Sequence, residues 1–293
     1  MGETKIEWCA TVWNSATGCT PISPGCANCY AARMAKRLAG RCGYPKKEPF
    51  KVTLHPERLT EPFSWRKPRR VFVSSMGDLF HKDVPMGHIL DVLTCATACD
   101  QHTFIFLTKR PRRMKEAFEE YKSYLRVSIR ALKNIWLGVS VENQKAADER
   151  IPVLLQTPTA VRFISCEPLL GPVDLSPYIS KLDWIISGGE SGPSARPMHP
   201  DWARSIRDQC LRTWTPFFFK QWGAWTPKLQ AERIRYKGWG TLNIDGNWFP
   251  DTTPWNGKQD ADSDGREYVM VQVGKKAAGR LLDGREWNEW PRQ

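Results

Sequence analysis

"TFIFLTKRPRRMKEAFEEYK", Thr103 to Lys122, carries the pattern that decides the fold. Thr103 to Leu107 is a β-branched and aromatic run and reads as a strand. Thr108, Lys109 and Arg110 form a polar cluster at its C-terminal end, and Pro111 to Lys122 then reads as a helix. The same theme recurs along the chain. "RVFVSS" ends near Ser75, "IWLGVSVEN" near Asn143, "VRFISCEP" near Pro168, "DWIISGGESG" near Gly192 and "PFFFKQWG" near Gly223. Helices are expected over Met86 to Asp100, Asn143 to Leu155 and Pro200 to Thr213. Pro200 with Asp201 marks a helix start, and acidic residues early in "VENQKAADER" with Arg150 late match the helix dipole.

Strand and helix in alternation imply parallel pairing, so the fold class is α/β with six parallel strands. Upstream, "IEWCATVW" and "FKVTLHP" offer two more, bringing the total to the number of a closed barrel. A complete or partial TIM-like (β/α) barrel is expected over residues 1–222. An open doubly wound sheet would give the same alternation, but strand after strand ends in hydrogen-bonding or reactive groups, as the C-terminal rim of a barrel does. These are Ser74, Ser75 and Asp78; Thr108, Lys109 and Arg110; Ser140, Glu142 and Asn143; Ser165 and Glu167; Ser187 to Glu190; Lys220 and Gln221. From residue 223 to 293 the chain turns Trp-, Gly- and Asp-rich. The turn signals "IDGN" and "DSDG" lie around "GNWFP" and "REYVMVQVG", which reads as a small β-rich C-terminal extension of short antiparallel strands.

The formal net charge of +12 favours an anionic partner, nucleic acid first. Basic residues gather in "WRKPRR" (Trp65 to Arg70), in "TKRPRR" (Thr108 to Arg113) and from Arg126 to Lys133. No apolar run approaches the roughly 18 to 20 residues that span a bilayer, and the N-terminus lacks a basic start with an apolar core, so a cytoplasmic protein with no membrane partner is expected. A myristoylation pattern fails at Ile6. There is no phosphate-binding Walker loop and no GxSxG nucleophile elbow, which removes support for NTPase and hydrolase readings.

Nine cysteines, odd in number and unevenly spread, do not form a secreted disulfide framework. Cys95 and Cys99 lie in an apolar helical pattern and read as core. Three others stand apart. In "TGCTPISPGCANCYAARMAKRLAG", Thr17 to Gly40, Cys19, Cys26 and Cys29 follow a C-x6-C-x2-C spacing. Three thiolates on one loop can hold three irons of a 4Fe-4S cluster with the fourth iron open, or three corners of a zinc site. Zinc needs a fourth protein ligand, and Cys9, Cys42 or His55 stand at ill-matched spacings; an open iron binding S-adenosylmethionine needs none. Pro21, Pro24 and Gly25 make an irregular path, and Cys29 opens a helix near Tyr30 whose dipole favours an anionic cluster.

These blocks, together with "SSMGDLFH", "LTKRP", "GVSVEN", "SCEPLLGP", "SGGESG", "FFKQWG" and "GRLLDGREWNEWP" in order, resemble the phage protein Gp-thirty-seven/Gp-sixty-eight family of three-Cys-motif, radical-SAM-like proteins of phages and bacteria. The resemblance covers nearly the whole chain. It implies a radical-SAM-type barrel with a 4Fe-4S cluster on Cys19, Cys26 and Cys29, S-adenosylmethionine as cofactor, an electron donor and a three-Cys-motif partner protein. On that footing Ser75, Asp78, Glu142, Glu167, Gly188, Gly189 and Glu190 are expected on the cofactor. Lys109, Arg110, Lys220 and Gln221 are expected on substrate phosphate or carboxylate. His81, after "GDLF", is a further proton-relay candidate. The spacing departs from the common C-x3-C-x2-C, and Asn28 stands where an aromatic residue often precedes the last cysteine. The competing expectation is a zinc- or cluster-stabilised nucleic-acid-binding or partner-binding protein without catalysis.

Overall fold

The computed structural model describes residues 4, 6–125, 132–231, 234–251 and 267–291. The basic stretch over 126–131 and the "DSDG" turn lie outside those residues. Thirteen strands are described: β1 Thr11–Trp13, β2 Ala16–Thr17, β3 Thr53–Leu54, β4 Arg70–Val73, β5 Thr103–Thr108, β6 Ile135–Ser140, β7 Val161–Cys166, β8 Trp184–Gly188, β9 Phe217–Gln221, β10 Trp225–Pro227, β11 Trp239–Asn243, β12 Trp248–Asp251 and β13 Glu267–Gln272. The helices are α1 Tyr30–Arg37, α2 Met86–Ala98, α3 Pro111–Leu125, α4 Gln144–Leu155, α5 Pro200–Thr213 and a short α6 Lys275–Ala278.

The main sheet is parallel and seven-stranded, in the order β1-β4-β5-β6-β7-β8-β9, so the alternating theme is confirmed from β4 to β9. All six residues of β6 and all five of β8 are buried, as in a parallel strand covered on both faces. The eighth strand expected from "FKVTLHP" is not in this sheet. Its Thr53–Leu54 pairs antiparallel with β2 in a separate two-stranded ribbon, and the upstream "IEWCATVW" supplies only β1. The strand order therefore has two ends and the sheet is open. One reason is visible at β9, where the free edge is taken by the chain's own tail. Phe219 N donates to Trp287 O (3.0 Å) and Glu289 N to Phe217 O (3.1 Å), with an antiparallel bridge between Phe218 and Asn288. Backbone groups that a further parallel strand would pair with are thus satisfied by residues 287–289.

The chain forms two compact units: residues 1–23, 29–140 and 149–163, and residues 24–28, 141–148 and 164–293. In the first unit the core holds Trp13 edge-on to Phe104 and a Phe80–Phe106–Phe118 cluster under α3. In the second, Trp184, Phe218 and Trp290 pack together, as do Phe217 and Trp287. The β-rich C-terminal part is a four-stranded antiparallel sheet, β10-β13-β11-β12. Arg204 and Arg207 of α5 both engage Asp283, which ties the tail to that helix.

Candidate functional site

In the first unit the rim after β4 and β5 closes into one hydrogen-bonded group. Thr108 Oγ1, at the end of β5, lies 2.8 and 2.9 Å from the two Asp78 carboxylate oxygens and donates to them. The Phe80 amide donates to Asp78 Oδ1 at 3.0 Å. Arg110 completes the group: its Nη1 donates to Asp78 Oδ2 (2.8 Å) and to Cys19 Sγ (3.2 Å), and its Nη2 to the Thr20 carbonyl (2.9 Å). Burial alone would lower the Arg110 pKa, but Asp78 and Cys19 outweigh it and raise it. A half-buried, always-charged fork is therefore held against a cysteine sulfur.

His81 reaches the same group through Thr20. Its Nδ1 accepts from the Asp83 amide (3.1 Å), so Nε2 carries the proton and donates to Thr20 Oγ1 (2.8 Å). Burial, then the Arg110 charge, lowers its pKa and keeps the ring neutral. Ser75 is tied differently: its Oγ donates to Asn14 Oδ1 (3.3 Å) and its carbonyl accepts from the Tyr30 hydroxyl. Lys109 stands half-buried beside Arg110. Thr108→Val is expected to cost about 1–2 kcal/mol, because it removes the donor to Asp78 and the acceptor of the Arg110 amide (2.9 Å). A lower urea midpoint with an unchanged slope would register it.

The chain enters the thiol loop under tight control. Gly18 N donates to Met76 O (3.0 Å) and Cys19 N to Phe50 O (3.1 Å). Gly18 has φ +85°, and a Cβ there would lie 2.2 Å from Lys51 O, so no other residue fits before Cys19. Cys26 closes a 3-10 turn, Pro24–Cys26, and Cys29 is the N-cap of α1 as expected, with no capping bond from its side chain.

In the second unit the loop 24–28 is clamped. Asn28 Nδ2 donates to Glu190 Oε2 (2.8 Å) and to the Ser194 carbonyl (2.7 Å). Arg196 donates from its backbone (2.8 Å) and Nε (3.0 Å) to Glu190 Oε2, and from Nη2 to Glu190 Oε1 (2.7 Å) and to the Pro24 carbonyl (2.9 Å). Glu190 is thus engaged within the chain, and Asn28 is one of its anchors. Gly25 lies against buried Glu142, its virtual Cβ 3.3 Å from the carboxyl carbon. Glu167 accepts from Lys220 Nζ (2.8 Å) and Gln221 Nε2 (3.1 Å). Gly188 borders Glu167, whereas Gly189 meets the backbone at Trp222.

The nine cysteines, none in a disulfide, fall into three classes by burial. Cys9, Cys95, Cys99, Cys166 and Cys210 are buried; Cys19, Cys26 and Cys29 are half-buried, and Cys42 is exposed. Burial pushes the Cys95 thiol up to about 12 and raises Cys166 and Cys210 as well, which leaves them protonated and inert. Among the described residues, no three His, Cys, Asp or Glu side chains are grouped so that they could hold a metal ion. Three buried rim atoms have no hydrogen-bond partner among the described residues: Ser74 Oγ after β4, Ser187 Oγ in β8 and Gln221 Oε1 in β9. Sequence reasoning missed Arg196 and Thr20, which lie in loops, and Asn14, which follows β1 directly but whose role shows only in its bonds from the Ser75 hydroxyl and the Met76 amide.

A parallel α/β sheet with polar strand ends, served by a loop of half-buried thiols, defines the class of protein. The chain belongs to the family described as "Protein of unknown function (DUF5131)", which it matches over residues 3–291. No curated protein and no solved structure matches it.

Proposed function

We propose that this chain is an iron–sulfur, S-adenosylmethionine-dependent radical enzyme acting on a nucleic acid or nucleotide, with Cys19, Cys26 and Cys29 as the cluster thiolates. The observation that carries this is the division of the cysteines. The three in the C-x6-C-x2-C stretch are half-buried, at the mouth of a helix, and one already accepts from a guanidinium, whereas the five with no part in the motif and no exposure are core.

The donor set itself supports a cluster over zinc: three soft thiolates in one stretch can serve three irons and leave the fourth open, and one of them already accepts an N–H, whereas a structural zinc takes four protein ligands. When bound, such a cluster with an external electron donor supplies the electron that splits S-adenosylmethionine, and the resulting radical abstracts a substrate hydrogen.

The chain's own part is to hold and orient. In the second unit, the unsatisfied Ser187 and Gln221 atoms are buried groups that a ligand's hydroxyl or amino groups would satisfy. Glu167 with Lys220 offers a paired acceptor and cation at the ends of β7 and β9. The polyanionic substrate is supported by the net charge of +12, by exposed Arg66 and Lys67, and by Arg112 on α3. Arg69 stacks on Trp65 at 5.4 Å beside them.

Protein purified without oxygen is expected to hold about four irons per chain, with an EPR spectrum of the reduced sample that changes on adding S-adenosylmethionine. Both are expected to disappear in Cys26→Ala. One zinc and no iron would overturn the radical reading and leave the three thiols as a structural clamp.

A further inference from the structure

The geometry points to Arg110 as the residue that tunes the electron affinity of the thiol-bound group. We infer that its guanidinium, locked in place by Asp78, donates to the Cys19 sulfur and so makes reduction at that site easier. This rests on the cluster reading above.

Arg110 is not a rim cation left for solvent or substrate. Each of its two terminal nitrogens is committed inside the first unit: Nη1 at 2.8 Å from Asp78 Oδ2 and 3.2 Å from Cys19 Sγ, Nη2 at 2.9 Å from the Thr20 carbonyl and 3.3 Å from its hydroxyl. Only 14% of its side chain is exposed, and 8% of Asp78, so the charge acts in a weakly screened setting. Asp78 is itself fixed by Thr108 and the Phe80 amide, and Thr108 Oγ1 accepts from the Arg110 backbone at 2.9 Å. The side chain is held at both ends.

The consequence for a thiolate is direct. An N–H donated to sulfur withdraws electron density from it, and a fixed positive charge nearby favours the state with one more electron. Asp78 offsets part of the charge, which leaves the directed N–H as the contribution specific to arginine. Lysine would restore the charge, but as a compact ammonium it does not reproduce the planar fork that spans carboxylate, sulfur and carbonyl together. Arg110 accordingly acts through Cys19, as a positioning residue.

Wild-type, Arg110→Lys and Arg110→Gln chains, purified without oxygen, are compared by iron per chain and by EPR-monitored redox titration. The midpoint is expected to fall in the order wild type, R110K, R110Q. The full shift is about a tenfold change in the reduction equilibrium, or about 59 mV for one electron. R110K, which keeps the charge, recovers part of it. A folded R110Q that holds less iron but keeps the wild-type midpoint in its loaded fraction overturns the tuning role, since Arg110 would then only hold the loop in place. A wild-type midpoint and iron content in either folded variant overturns the inference while leaving the cluster in place. A wild-type chain without iron instead removes the reading beneath it.

Discussion

Gly189→Ala is expected to destabilise the chain by about 4 kcal/mol, at the extreme of single substitutions. A Cβ at this position would lie 1.9 Å from Trp222 O and 2.7 Å from the carbon of that carbonyl. Neither obstacle is the movable end of a side chain. The segment after β8 is laced to the segment after β9 by Gly189 N to Gln221 O (2.9 Å) and Ala224 N to Glu190 O (2.8 Å), so a backbone retreat breaks paired groups. The neighbouring glycine provides the control. At Gly188 the nearest atom to a virtual Cβ is Gln221 O at 3.4 Å, an ordinary contact, and Gly188→Ala is expected to cost under about 1 kcal/mol. Urea unfolding of the two variants decides the matter. Equal midpoints for both would show that the strand ends are not packed this closely.

That pair of glycines also marks how far the sequence can be read. The alternation of apolar runs and helical stretches is a local signal, and it placed β4 to β9 and the four principal helices, with α5 matching Pro200 to Thr213 to the residue. The role of "FKVTLHP" is not local. Two residues of it pair with Ala16–Thr17, a partner nearly forty positions upstream that no period announces, and the eighth place in the sheet goes unfilled. At β9 the decisive partner is the tail at 287–289, which reads on its own as a polar, tryptophan-rich end. The site divides in the same way. Spacing singled out the three thiols, and strand ends gave Asp78, Arg110 and Glu190. Which of these face one another was not legible, because side-chain pairing depends on register across units of chain separated by tens to hundreds of residues. Glu190 is expected on the cofactor because it stands beside two glycines and can accept hydrogen bonds; in three dimensions its oxygens meet Arg196 and Asn28, partners that no local signal announces.

Glu190→Gln is expected to lower stability by about 2–3 kcal/mol at neutral pH and to reduce the iron held by the anaerobically purified chain. The figure is below the roughly 3–5 kcal/mol of a fully buried pair because the Arg196 side chain is 37% exposed, against 5% for Glu190. Burial by itself would raise the Glu190 pKa. The bonds from Arg196 and Asn28 outweigh it and hold the carboxyl below its ordinary value. A carboxylate whose folded pKa is depressed contributes its stability above the unfolded value and loses it as pH falls through the folded one. The gap between wild type and variant is therefore widest above about pH 4.5 and closes in stronger acid. A gap independent of pH would mean that the charge is not what matters at this position. The iron readout follows from what the clamp holds: Arg196 binds the Pro24 carbonyl and Asn28 binds Glu190 directly, so Cys26 sits on a segment fixed on either side through one carboxylate. With a neutral amide there, one oxygen becomes an N–H donor facing a guanidinium or the Asn28 amide, both donors themselves, and the segment loses a tether. Full iron occupancy in a variant that has lost the expected stability would separate the two effects and show that Cys26 holds its place without the clamp.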